Sequence, residues 1–318
     1  MKKFSCFLIA ILLMACSNES ELEKEIEKIE VQTKIERFDK KFATSNPSDL
    51  PKLKSNYPYL FPEQFADSVW IGKMNDTLQR ELFDEIDKQF PDFEEDTTEI
   101  RAVFQHAKYY FEAFRAPKIV TVISDVDYKN RVIYADSLML IGLDNYLGKD
   151  HRFYSGIQEY IKNNFEAEQV SVDVARTIAK SQIRGPQDRT FLSQMIYYGK
   201  LYYVMKLLVP FKENAAIMGY HTDEYNWALA NENYIWRYFI EKELLFSTEG
   251  KLAERFINPA PFSKFYLELD NESPGRIGQF IGWRIVASYM ENNKVSLQQM
   301  LNASSEEIFN NSKYKPEK

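Results

Sequence analysis

Residues 193–208 read SQMIYYGKLYYVMKLL. Apolar and aromatic side chains fall on every side of this run, and only Lys200 and Lys206 carry charge. A helix that is apolar all round has no face to give to water, so it belongs in the middle of a packed body. Its four tyrosines, Tyr197, Tyr198, Tyr202 and Tyr203, then need partners for any buried hydroxyl. Core packing is their expected use. Lining a groove is the alternative.

A central helix needs neighbours that can come close. Residues 274–293, PGRIGQFIGWRIVASYMENN, supply one. Gly278 and Gly282 stand four apart, so they share one helix face, where another backbone can approach. Pro274 suits a position near the helix start. Each mid-helix glycine costs about 1 kcal/mol against alanine, which close packing must offset.

A third segment, residues 222–245, TDEYNWALANENYIWRYFIEKELL, reads as one helix. Tyr225, Ala228, Leu229, Ile235, Trp236, Phe239 and Ile240 share its apolar face, and Glu232 lies among them. A carboxylate there is costly unless paired. It predicts a buried ion pair with Arg237, Arg276 or Arg284; the other reading is a ligand or general base in a cleft. Tyr197, Tyr198, Glu232, Trp236 and Arg276 together define the candidate cleft.

Towards the amino terminus the helical pattern continues. Residues 74–90 place Leu78, Leu82, Ile86 and Phe90 on one stripe, capped by Asn75 or Asp76. Residues 95–114 place Ile100, Val103, Phe104, Ala107, Tyr110, Phe111 and Phe114 on another, with an end expected at Ala116-Pro117. The period then changes. KIVTVIS (118–124) and RVIYADSLMLIGLDNYLG (131–148) are rich in Val, Ile and Tyr and flank the turn-like DVDYKN. They predict a hairpin or adjacent strands. In residues 31–42 the alternation of Val31, Thr33 and Ile35 favours a strand, although Ile35, Phe38 and Phe42 also fit a helix. With only 11 glycines in 318 residues, the fold class is α+β, predominantly helical with one small β-sheet.

The chain opens on Lys2 and Lys3, then a twelve-position apolar run, Phe4 to Ala15, broken only by Ser5. That is short of the roughly 20 residues a membrane helix needs and fits a secretory signal. Leu13-Met14-Ala15-Cys16 reads as a lipobox, predicting a signal peptide over 1–15 and acylation, palmitate included, on Cys16. Residues 16–30 are polar and mixed in charge and predict a solvated tether or short exposed helix; residues 31–318 predict one globular domain. Loss of Lys2 and Lys3 would take the formal charge from −7 to −9. An acidic body disfavours nucleic acid, so membrane attachment rests on the lipid anchor. Cys6 leaves with the signal and Cys16 carries lipid, which excludes thiol catalysis, thiolate metal sites and disulfides.

Catalytic signatures are missing. The chain has no H-E-x-x-H pair, no G-x-S-x-G elbow, no P-loop and no G-x-G-x-x-G. His106 reads as a packed or surface imidazole, His151 as loop, and His221 with Glu224 or Tyr225 as a weak metal set. The reading is a non-enzyme without cofactors. The alternative is an envelope metal-dependent hydrolase or peptidase-like enzyme with a non-standard site using Glu232 and His221.

KIERFDKKF (34–42), IGLDNYLG (141–148), QMIYYGKLYY (194–203), NENYIWRYFIEKELL (231–245) and residues 260–293, which contain PGRIGQFIGWRIV, together with the lipobox, resemble the gliding-motility lipoprotein GldB family of Bacteroidota. The resemblance implies a lipid-anchored component of the gliding motility machinery. It further implies work beside other gliding and type IX secretion proteins of the cell envelope, facing the periplasm. The family is distantly similar to zinc peptidases. That kinship implies a degenerate zincin-like (metallopeptidase-like) fold, with Met195 and Gly199 where the paired imidazoles would stand and Glu232 where a later glutamate ligand would stand. Without imidazoles the pattern implies a pseudo-peptidase: the shape without its chemistry.

Overall fold

The computed structural model describes residues 21–267 and 270–316. The expected signal peptide over 1–15 and the expected acylation site Cys16 lie outside the described residues. The first helices are α1 (Glu21–Glu27), α2 (Phe38–Ala43), α3 (Leu50–Asn56), α4 (Asp67–Asn75), α5 (Thr77–Gln89) and α6 (Glu94–Tyr110). After the strands come α7 (Glu159–Lys162), α8 (Val170–Gln182), α9 (Phe191–Leu208), α10 (Asn214–Met218), α11 (Thr222–Ala230) and α12 (Glu232–Glu241). The chain closes with α13 (Lys251–Phe256), α14 (Ile277–Asn292), α15 (Leu297–Asn302) and α16 (Ser305–Ser312). The strands are β1 (Ile35–Arg37), β2 (Lys118–Val122), β3 (Val132–Ala135) and β4 (Leu138–Gly142). The expected α+β class, helical with one small sheet, is the observed one.

The sheet runs in the order β1-β2-β4-β3. β1, β2 and β4 are parallel, and β3 returns antiparallel to β4 across a two-residue turn. DVDYKN therefore leads from β2 past β4 to the edge strand rather than joining two neighbours. The apolar runs of β2 and β4 have a simple reason: both faces are covered. Ile119, Met139 and Ile141 point into the large core, while Val120, Val122, Leu138 and Leu140 point into a smaller one built from Phe38, Phe42, Leu50, Leu53, Tyr57, Phe61 and Met74. Of the alternation expected to form a strand in residues 31–42, only Ile35 lies in β1, Val31 and Thr33 precede it as irregular chain, and α2 follows at once with Phe38 and Phe42 on it.

α9 is the axis of the large core, with twelve of its eighteen residues buried. It crosses α14 at glycine against glycine. A β-carbon on Gly282 would lie 1.9 Å from Met195 O, and one on Gly199 would lie 2.2 Å from Gly282 O. Gly278 gives the same face its approach to Phe256 O.

Several boundaries differ from the expected ones. α6 ends at Tyr110, not at Ala116-Pro117, because Phe111 turns extended (φ −131°, ψ 97°) and carries itself and Phe114 into the core. Asp76, not Asn75, caps α5 by accepting from Gln79 N at 2.9 Å. Leu78 is 59% exposed, because the buried stripe begins a turn later at Leu82. Residues 222–245 form two helices that break at Asn231, so the stripe bends and leaves Leu229 and Ile240 exposed. The exposed helix expected near residue 21 exists as α1, yet Ile26 is fully buried against the body and His106 bonds Glu23 at 3.1 Å.

Candidate functional site

Glu232 opens α12 immediately after the break. Its side chain is buried, and its Oε1 accepts from Arg284 Nε at 2.9 Å and from the Tyr314 hydroxyl at 2.7 Å. Arg284 comes from α14 and Tyr314 from the carboxy-terminal segment, so three distant stretches meet on one oxygen. Burial disfavours the Arg284 charge, but the bond to Glu232 outweighs it and the guanidinium pKa rises. Burial, then the Glu232 charge, holds the Tyr314 phenol protonated far above its ordinary range. Trp236, one turn on, sets its ring edge-on to Tyr314 at 5.1 Å and beside Phe309 at 6.0 Å. A polar cavity of about 530 Å³ adjoins this cluster, with Glu291 and Lys313 in its wall.

Of the three arginines considered for Glu232, Arg284 is the partner. Arg237 reaches Glu241 on the surface at 3.2 Å. Arg276 donates to Met218 O at 2.7 Å and Gly219 O at 2.8 Å and lies over the Tyr220 ring. The five cleft candidates thus fall into two groups. Glu232 and Trp236 share Tyr314. Tyr197 and Tyr198 touch each other edge-on at 5.0 Å on α9. Burial raises both phenols, and the Arg276 guanidinium acts against that rise at Tyr198.

The histidines have local uses. His106 Nδ1 lies 2.8 Å from Ala102 O, and His151 Nε2 lies 3.5 Å from Glu85. His221 precedes α11, and its backbone N–H donates to Glu224 at 2.8 Å. Met195 and Gly199 are committed to the crossing with α14. Among the described residues, no three His, Cys, Asp or Glu side chains gather as a metal cluster.

Two arrangements were not visible in the sequence. The first is a buried polar hub. Asp173 of α8 accepts from Arg131 and from the Tyr146 hydroxyl at 2.9 Å. Arg176 packs over Tyr202, whose hydroxyl donates to Gln279 Oε1 at 2.6 Å. Burial alone would raise the Tyr202 pKa, but the guanidinium groups of Arg176 and Arg276 reverse the direction and lower it. These bonds tie α8, α9, α14 and the hairpin together inside the core.

The second is an aromatic groove of about 460 Å³ on the outer side of α11 and α12, walled by Trp227, Tyr234, Tyr238, Phe265 and Leu267. Asp270 fastens one wall. Its carboxylate accepts from the backbone N–H of Phe265, Tyr266 and Leu267 at 3.1, 2.8 and 3.1 Å. Tyr266 is held left-handed at φ 64°, with the Arg255 guanidinium 4.4 Å from its ring centre. Tyr234, Tyr266 and Leu267 are 70%, 71% and 63% exposed. The signal was faint because alternating Tyr, Trp and Phe in residues 225–239 read equally well as core.

Over residues 19–316 the chain matches the family described as gliding motility protein GldB, and it belongs to that family. No curated protein and no solved structure matches it.

Proposed function

We propose that this member of a gliding motility lipoprotein family acts as a tethered docking component: lipid on Cys16 holds it to an envelope membrane, facing the periplasm, where it engages other motility and type IX secretion proteins without catalysing a reaction. The observation that supports docking is the fastened aromatic wall beside α12. Tyr234, Tyr266 and Leu267 stand in water, and the Asp270 carboxylate spends three hydrogen bonds fixing the backbone of residues 265–267, which carries two of them. Exposed aromatic residues on a pre-set backbone are what interface anchors look like, since little entropy is lost when a partner covers them. The Glu232–Arg284–Tyr314 cluster suits a supporting part: with its shared oxygen occupied twice, it clasps the carboxy-terminal segment onto α12 and α14. Among the described residues no helix is long and apolar enough to cross a membrane, which agrees with attachment through the acyl group.

A photo-crosslinking residue at Tyr234, in the full chain in living cells, tests the reading. Adducts with motility or secretion proteins of the envelope are expected, and the double variant Tyr266→Ser, Leu267→Ser should lose both adducts and gliding while staying membrane-bound. Wild-type gliding by the double variant would overturn the docking surface. Cys16→Ala should release the chain from membranes; retention would remove the tether from the account.

A further inference from the structure

On the side of the sheet away from α9, the small core is hollow. A cavity of about 260 Å³ lies among Phe38, Phe42, Leu60, Phe61, Trp70 and Phe83. It opens by the carboxyl ends of the parallel strands, where Val122 and Ile123 leave β2. That edge is where open parallel sheets place their ligands. The backbone at the mouth is set against its own preference. Asp125 and Val126 are both left-handed, at φ 56° and 58°, and a β-branched residue there is a true outlier. The fully buried Asp144 holds them by accepting from Ser124 N at 3.0 Å and Val126 N at 2.5 Å. Such strain is costly and persists where the surroundings over-determine it, commonly at ligand sites.

The polar groups of the wall are unequally used. Asp39 is satisfied by Arg37 and Thr121, and Asp125 by Lys73 and Gln79, both at 2.6 Å. The spare capacity is on the donor side. Lys73 spends one ammonium proton on Asp125 at a rim where its side chain is 35% exposed, which leaves two for an occupant. An apolar cavity of roughly 150 Å³ takes benzene, so this one has room for about ten non-hydrogen atoms.

We infer that the chamber is a binding site for a small apolar carboxylate, a medium-chain or aromatic acid, whose body packs among the phenyl rings and the Trp70 indole and whose oxygens meet the spare ammonium protons of Lys73 at the rim. Octanoate, with about ten non-hydrogen atoms, is the probe. The full chain, labelled with 5-fluorotryptophan and held in lipid nanodiscs, gives one fluorine resonance for each of its four tryptophans, and Trp70→Phe assigns the relevant one. Octanoate is expected to move the Trp70 resonance saturably and leave the other three in place. Lys73→Met should weaken octanoate about fivefold, as for a partly exposed ion pair, with 1-octanol unaffected. Leu60→Trp, which fills the chamber, should abolish both. A Trp70 resonance unmoved by 10 mM octanoate overturns the site. So does octylamine acting as strongly as octanoate, or Leu60→Trp responding like the wild type. Lys73→Met leaves the chamber intact, so the test does not hang on the folding of Leu60→Trp.

Discussion

The sheet divides the molecule into two interiors built on opposite principles. On one side, α9 and α14 cross with Gly199 and Gly282 so close that neither position has space for a methyl group. On the other, five aromatic rings and Leu60 surround a hollow, beside a corner where two non-glycine residues are left-handed around a buried carboxylate. The large core meets a geometric need with the residue type that suits it. The corner keeps side chains that its backbone resists, and Asn145 Oδ1 beside it lacks a partner among the described residues. Stability alone explains the first arrangement. It does not explain the second, where glycine at 125 or 126 would ease the backbone. The difference separates what holds the fold from what the fold is holding ready.

The contrast breaks most visibly at the crossing. Gly282→Ala should destabilise the chain by about 3 kcal/mol or more, because its β-carbon meets backbone at Met195, which cannot rotate away. Gly72→Ala on α4, with nothing within 4 Å of the added carbon, should be neutral or stabilise by up to about 1 kcal/mol. Chemical denaturation of both variants checks this. A Gly282→Ala midpoint near the wild type would mean that the helices can part, and the crossing would no longer be the fixed side.

The corner answers to charge rather than volume. Asp144 has no exposure, and burial raises its pKa against the bonds from Val126 and Ser124 that lower it. Asp144→Asn places an amide N–H against donors that need an acceptor. A cost of about 2–3 kcal/mol is expected, together with faster amide exchange over residues 124–128. An unchanged exchange rate there would show that the left-handed pair keeps its shape without the clamp.

How far the sequence discloses these two interiors follows the same division. The crossing was legible because Gly278 and Gly282 have no other reason to stand four apart on an apolar helix, and because residues 193–208 leave no face for water. Glu232 on an apolar stripe announced an ion pair, and Arg284 was among the partners offered. Arg276 was lost to that site because carbonyls of Met218 and Gly219 take its guanidinium, a contact that spacing along the chain does not encode. The corner was illegible for a different reason. Left-handed backbone is usually marked by glycine, and Asp125-Val126 carries none; Asp144, its clamp, lies inside an apolar run that reads as strand. The outward face of α12 stayed hidden because one unforeseen break at Asn231 rotates everything after it.

The smallest expected effect tests whether the crossing is as dry as it is close. Lys200 lies on α9 next to Gly199, is buried, and donates to Leu301 O at 3.0 Å and Ala303 O at 2.8 Å. Burial lowers its pKa from 10.5 to about 8. Below pH 8 the ammonium is charged in both folded and unfolded chains, and the folded state bears its full desolvation cost. Between about pH 8 and 10.5 the folded chain releases its proton first, so the unfolded state binds more protons and stability must rise with pH. Lys200→Met removes the titration. Relative to that variant, the wild type should gain about 2 kcal/mol between pH 7 and 10, read from paired denaturation midpoints. A difference that stays flat would mean water reaches the ammonium beside Gly199, and then the large core is closed at its glycines but open one residue further on.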